Sequence, residues 1–153
     1  MAPSSAPRVC QDATLNGAAS DGQFGAITQN RCDRGTKRSR VEELLDAIHG
    51  AMLAAFKVPE RDRYQIVHEH PAAEMIIKDT GLGIPRTEQV VMVQVTTRPR
   101  GRLEKQNFYE LLCQELLRRC EVKPSDVVVS ITQNADEDWS FGYGRAQFIT
   151  GEL

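Results

Sequence analysis

The stretch TTRPRGRLEK, residues 97–106, places Arg98, Arg100 and Arg102 where an apolar run gives way to a helical pattern. A helix start favours acids, because its unpaired backbone N–H groups carry partial positive charge. Arginines crowded there break a local rule, and such breaks concentrate at functional sites. Pro99 biases Arg98 toward extended backbone and fixes its own φ, so Arg98 and Arg100 leave the strand end on a defined path. Two guanidiniums beside helix-start N–H groups would receive a carboxylate. The competing reading is that they are solvated or paired with surface acids, the usual fate of charge clusters.

Other residues offer chemistry with weaker local signals. Asp62, in PERDRYQ, opens a strand pattern; it is either a turn residue or a carboxylate that donates protons or orients water. His49 falls beside Leu45 and Met52 on a helical stripe and reads as a structural histidine. Trp139, Phe141 and Phe148 either cap the core or wall an apolar pocket. The GLG of DTGLGIPR is too short to argue for a phosphate cradle. Cys10, Cys32, Cys113 and Cys120 show no metal-like spacing and read as reduced thiols. No metal, nucleotide or organic cofactor is expected.

The elements that must position these residues are legible from about residue 40. RVEELLDAIHGAMLAAF carries Val41, Leu44, Leu45, Ile48, Met52 and Phe56 at helical spacing, and Val58-Pro59 ends that helix. DRYQIVHEH alternates like a strand over 62–70, and EMIIKD offers another. EQVVMVQVTT is β-branched and apolar enough for a buried strand. RLEKQNFYELLCQELLRRC follows as a second amphipathic helix, with Phe108, Leu111, Leu112, Leu116 and Cys120 on one stripe. After a Pro124-Ser125-Asp126 turn, VVVSITQ forms a further buried strand. Strand, helix, strand over this length is a βαβ unit. The first half would repeat it if a strand preceded residue 41. Residues 26–37, AITQNRCDRGTK, occupy that slot but carry little β propensity.

Bulk properties bound the function class. A chain of 153 residues with 41% hydrophobic and 26% charged residues suits one globular domain, and a net charge of −2 argues against a nucleic-acid or membrane-surface ligand. Residues 1–40 hold six Lys/Arg against three Asp/Glu, so the remainder is acidic. No apolar run reaches membrane-spanning length, and no hydrophobic stretch in the first 25 residues marks a secretory signal. The expectation is a cytoplasmic protein. Residues 1–25 then form a disordered leader or a misassigned start, and 26–153 form the folded domain.

VPERDRYQIVHEH, EMIIKDTGLG, VTTRPR and NADEDWSFGYGRAQFITGEL together resemble the malonate semialdehyde decarboxylase family of the tautomerase superfamily, from about Val41 to Leu153. The resemblance implies an α/β (α+β) fold of two βαβ units in one mixed sheet, two helices on one face, and a homotrimer. It implies that Asp62, Arg98 and Arg100 are catalytic, that both arginines hold a substrate carboxylate, and that Trp139, Phe141, Phe148 and Leu153 wall the pocket. The implied substrate is a small carboxylated carbonyl compound, a 3-oxo or 2-oxo acid. Family chemistry also uses an amino-terminal proline, whose position here, counted back without gaps, is Ala26. A peptide amide there neither titrates usefully nor attacks a carbonyl. Activity would then be reduced, or the chain would be a non-catalytic acid-binding trimer whose RCDRGTKRSR stretch is a basic tail.

Overall fold

The computed structural model describes residues 23–28 and 34–153, with side chains from Ser39 onward. The leader through residue 22, Cys10 and Cys32 lie outside the described residues, as do the side chains of most of the basic stretch. The elements run β1 (Gln23–Thr28), α1 (Arg34–Phe56), β2 (Gln65–Glu69), β3 (Val91–Thr97), α2 (Arg102–Cys120) and β4 (Val127–Gln133), followed by one helical turn, α3 (Gln147–Thr150). β1 and β2 are parallel, β3 and β4 are parallel, and β1 pairs antiparallel with β3, giving the order β2-β1-β3-β4. Two βαβ halves therefore share one mixed sheet, as the pseudo-repeat predicts.

The strand that completes the first half begins three residues before the 26–37 slot and shares only residues 26–28 with it. It takes in Gln23–Gly25, and α1 already begins at Arg34. A strand bonded on both sides gains a full ladder from β2 and β3, so weak intrinsic propensity at QFGAIT is outweighed by its position.

One face of the sheet is covered. Val91, Val93, Val95 and Thr97 of β3 are buried, whereas Gln94 between them is exposed. The run 88–97, read as a buried strand, forms β3 over Val91–Thr97 with alternating burial, because both helices pack on the same side. From α1, Leu44, Ile48, Met52 and Phe56 fill the core, and Ala47, Ala51 and Ala55 let the backbone approach closely. From α2 come Phe108, Leu112, Leu116 and Cys120. Phe56 and Phe108 meet with ring centroids 5.1 Å apart. Each such fully buried side chain contributes roughly 1.5–3 kcal/mol of transfer free energy.

EMIIKD is not a strand. Residues 70–90 carry no helix or strand, and Ile76 is 77% exposed. Turn chemistry shapes the segment instead. The Asp79 carboxylate accepts the N–H groups of Gly81 (3.2 Å) and Gly83 (2.9 Å), both glycines at positive φ. Further on, Thr87 donates its N–H (2.6 Å) and hydroxyl (2.8 Å) to the buried Asp126, and Arg86 donates to the Ser125 carbonyl (2.6 Å). That anchorage delivers the chain to β3 beside the start of β4.

Candidate active site

Register determines which strand ends meet. Gln23 opens β1 opposite Thr96 near the end of β3, and Phe24 lies opposite Gln65, the first residue of β2. Thr97 ends β3 opposite Gln133, where β4 ends. The approach to β2 and the exits of β3 and β4 therefore share one edge of the sheet. Asp62 lies on that approach, and Arg98, Arg100 and the segment from Asn134 onward lie on those exits.

Asp62 is 1% exposed, and burial raises its carboxyl pKa from 3.8 to about 7. Its N–H donates to the Pro59 carbonyl at 2.9 Å, closing a turn after α1. His49 reaches the same loop, with Nε2 2.9 Å from the Glu60 carbonyl, while its buried Nδ1 has no hydrogen-bond partner among the described residues. It holds the loop from within the core, close to the structural role expected of it. Arg63 is adjacent to Asp62 in sequence but turns to Asp46 (2.6 Å) and Gln65 (2.7 Å).

The two arginines are held differently. Arg98 grips Asp136 with one edge of its guanidinium, Nε to Oδ1 at 2.6 Å and Nη2 to Oδ2 at 2.9 Å. Its face stacks on the Phe148 ring, 4.5 Å from the centroid. Arg100 turns inward: Nη1 donates to the Phe56 carbonyl at 3.1 Å, Nε to Thr97 Oγ1 at 3.3 Å, and its guanidinium lies 5.1 Å from the Phe56 ring centroid. Burial lowers its pKa, with Glu104 opposing. Because Phe56 ends α1 just before the loop carrying Asp62, Arg100 ties the exit of β3 to that loop. The acid that a helix start favours is also present, since Glu104 accepts the Gly101 N–H at 2.7 Å. Arg102 is exposed.

The aromatic residues form a continuous stack. Trp139 and Phe141 rings lie 5.5 Å apart, Phe141 and Phe148 meet edge to face at 5.1 Å, and Phe148 underlies Arg98. Trp139 is 6% exposed and donates its indole N–H to Asn134 Oδ1 at 2.8 Å. Gln147 clamps the intervening Gly-rich turn, accepting the Phe141 N–H and donating to the Gly142 carbonyl, each at 3.0 Å. Leu153 is 48% exposed and stands outside this chain of contacts. Ala26 lies within β1, its backbone paired with Val67 and Val93, three residues in from this edge.

Sequence reasoning overlooked Asp136, Asn134, Thr97 and Gln147. Asp136 sits in the acidic run of NADEDW, which by itself signals only a solvated rim. Among the described residues, no group of three or more His, Cys, Asp or Glu is placed to hold a metal ion, and no helix is long and apolar enough to cross a membrane.

Two family models, each describing a tautomerase enzyme, match residues 62–142 and 31–85. The "Probable tautomerase YrdN" of Bacillus subtilis (strain 168) is 50% identical over 119 residues, spanning 78% of this chain and 92% of that protein. Among solved structures, malonate semialdehyde decarboxylase, studied as wild type, proline-to-alanine mutant and inactivated enzyme for its decarboxylase and hydratase activities, superposes with a TM-score of 0.78. It is 46% identical and covers 85% of this chain and 98% of that one. The FG41 malonate semialdehyde decarboxylase inhibited by 3-bromopropiolate gives the same TM-score at 35% identity, covering 85% and 96%. A fused 4-OT symmetric trimer, 17% identical, shares the fold with a TM-score of 0.67 over 84% and 98%. With this fold and these relatives, the chain belongs to the tautomerase superfamily and is structurally similar to malonate semialdehyde decarboxylase.

Proposed function

We propose that this protein binds a small 3-oxo or 2-oxo acid and carries out malonate-semialdehyde-decarboxylase-like or tautomerase-like chemistry on it, as a homotrimer. The observation that carries this reading is the shared edge: two guanidiniums and an aromatic stack at the strand exits, and a buried carboxyl with a pKa of about 7 on the approach to β2. Arg98 and Arg100 bind the substrate carboxylate, and in a decarboxylation Arg100 or Arg98 polarises the neighbouring carbonyl as the C–C bond electrons move toward it. Asp62, divided between its two protonation states near neutral pH, orients or activates water. Trp139, Phe141 and Phe148 keep the pocket apolar, which strengthens these charge interactions. The likeness to a decarboxylase with hydratase activity, and to one inhibited by the monocarboxylate 3-bromopropiolate, supports the substrate class. The trimeric state of a fold relative supports the assembly.

A second reading is favoured by one observation. Counted back along the sequence without gaps, the family's amino-terminal proline falls on Ala26, whose nitrogen is a peptide amide. Absence of one positioned proton-transfer group typically lowers the rate by about 10²–10⁴-fold. A binding protein for small acids without turnover is the limiting case.

One assay separates these readings. Purified protein is tested with malonate semialdehyde and with phenylpyruvate enol, beside Arg98→Ala and Asp62→Ala variants. The enzyme reading expects turnover that falls at least about 10²-fold in kcat/KM in both variants. Identical behaviour of all three proteins would remove the catalytic proposal. Binding of the acid without turnover, abolished by Arg98→Ala, would establish the binding protein.

A further inference from the structure

Between the end of α1 and the start of β2 the chain runs along the surface, and of residues 57–63 only Val58 and Asp62 are buried. Val58 goes inward because it is apolar and joins the core. Leaving water disfavours the charged form of a carboxyl, so keeping Asp62 inside requires that the turn carrying it be held. The Lys57 N–H donates to the Leu53 carbonyl at 3.2 Å as α1 ends, and the Asp62 N–H donates to the Pro59 carbonyl at 2.9 Å. Both of these bonds are local. The fastening to the rest of the domain comes from α1, where His49 Nε2 donates to the Glu60 carbonyl at 2.9 Å. One helical turn earlier, the Leu45 carbonyl accepts Gln65 Nε2 at 2.9 Å and fixes the start of β2.

We infer that His49 is a positioning residue for Asp62: its bond to the Glu60 carbonyl holds the 59–62 turn against α1 and so keeps the carboxyl at the buried position from which it acts. This rests on the reading of Asp62 as the group that orients or activates water. A carbonyl oxygen only accepts, so His49 Nε2 carries the proton, and in the neutral ring Nδ1 is left as an acceptor. That Nδ1 is buried and has no hydrogen-bond partner among the described residues. An unpaired buried acceptor is unfavourable, and a leucine or phenylalanine would fill the same core position without one. What the imidazole adds is the Nε2–H donor, directed at a carbonyl two residues from Asp62. The charged groups of this edge are Arg63 on Asp46, Arg98 on Asp136, and Arg100 on the Phe56 carbonyl with Glu104 close by, while Lys57, Glu60 and Arg61 are exposed. Burial is what raises the Asp62 pKa, so a turn released from His49 lets water reach the carboxyl and returns its titration toward the ordinary range. Arg100 is fastened to Phe56, ahead of this turn, and Arg98 to Asp136, so both guanidiniums keep their places when the turn is released.

The test follows the Asp62 carboxyl by carbon NMR across pH in wild type, His49→Phe, His49→Asn and His49→Gln, with the resonance assigned by its loss in Asp62→Asn. The glutamine amide nitrogen lies as many bonds from Cα as His49 Nε2 and can donate to the Glu60 carbonyl, whereas the asparagine nitrogen falls one bond short. The wild-type midpoint is expected near pH 7. In His49→Phe and His49→Asn it should fall by about one pH unit or more, while His49→Gln stays with the wild type. With malonate semialdehyde, kcat should drop about tenfold or more in the first two variants, with KM little changed, and recover in His49→Gln. Should His49→Phe fail to fold, His49→Leu replaces it with the same expectation. Midpoints that stay at the wild-type value in His49→Phe and His49→Asn, whatever stability those proteins lose, would overturn the inference and leave His49 a packing residue. A His49→Gln midpoint as low as that of His49→Phe, or a wild-type midpoint in the ordinary carboxylate range, would overturn it too. Absence of turnover in wild type, with the midpoints moving as expected, would overturn the proposed function and leave the hold of His49 on Asp62 standing.

Discussion

The β1-α1-β2 half ends its helix at Phe56 and reaches β2 through a loop that buries Asp62, whereas the β3-α2-β4 half turns from strand to helix through Arg98, Pro99 and Arg100. The two halves share a topology and divide the charge. In the first, a carboxyl loses its solvent, and burial lifts its pKa to about 7. In the second, each guanidinium leaves the strand already supplied with partners, Asp136 and Phe148 for one, Phe56 and Thr97 for the other. One supersecondary unit repeated twice thus brings a buried carboxyl and two guanidiniums to a single sheet edge. What differs is the connection that follows the element, not the element itself.

The largest test of that contrast is on the acidic side. A carboxyl whose folded pKa lies above its unfolded value holds its proton longer in the folded protein. Between about pH 4 and pH 7 the folded state then binds more protons than the unfolded chain, and stability falls as pH rises through that window. A shift from 3.8 to about 7 corresponds to about 4 kcal/mol once both states are ionised. Asp62→Asn should therefore be more stable than wild type near pH 8, by an amount of that order, and the gain should shrink toward pH 4. Urea unfolding across this range checks it. An Asp62→Asn protein less stable than wild type at pH 8 would show that the carboxylate is stabilised where it lies.

A smaller effect separates the two arginines. Arg100 is half-buried and donates to the Phe56 carbonyl at the end of α1, so Arg100→Ala should lose about 1–3 kcal/mol of stability along with its ligand affinity. Arg98 is paired at the surface, so Arg98→Ala should lose less than about 1 kcal/mol while abolishing acid binding. Thermal or urea unfolding beside an acid titration checks both. Equal stability losses would erase the distinction drawn between an inward-tied and an outward-facing guanidinium.

The same two halves differ in how far the sequence foretold them. In the second, α2 and β4 occupy the residues that periodicity marks, because each has a strong pattern, a helix stripe from Phe108 to Cys120 and a β-branched run from Val127. In the first, β1 begins before the expected slot and overlaps only its first three residues. A central strand is stabilised by partners distant in sequence, and QFGAIT carries little local signal of its own. EMIIKD shows the reverse failure: a pattern with β character but no strand to pair with. At the site, the arginines, Asp62 and the aromatic residues were visible as residue types that break local rules or cluster. Asp136 was not, since an acid in an acidic run looks solvated until the fold sets it against a particular guanidinium.

The most direct test of the central claim is the pH dependence of kcat/KM for malonate semialdehyde in wild type and Asp62→Asn. A water-orienting Asp62 gives a wild-type transition near pH 7, with activity rising as its carboxyl loses the proton, and a flat, strongly reduced profile in the variant. A transition of the same position and height in Asp62→Asn would contradict it.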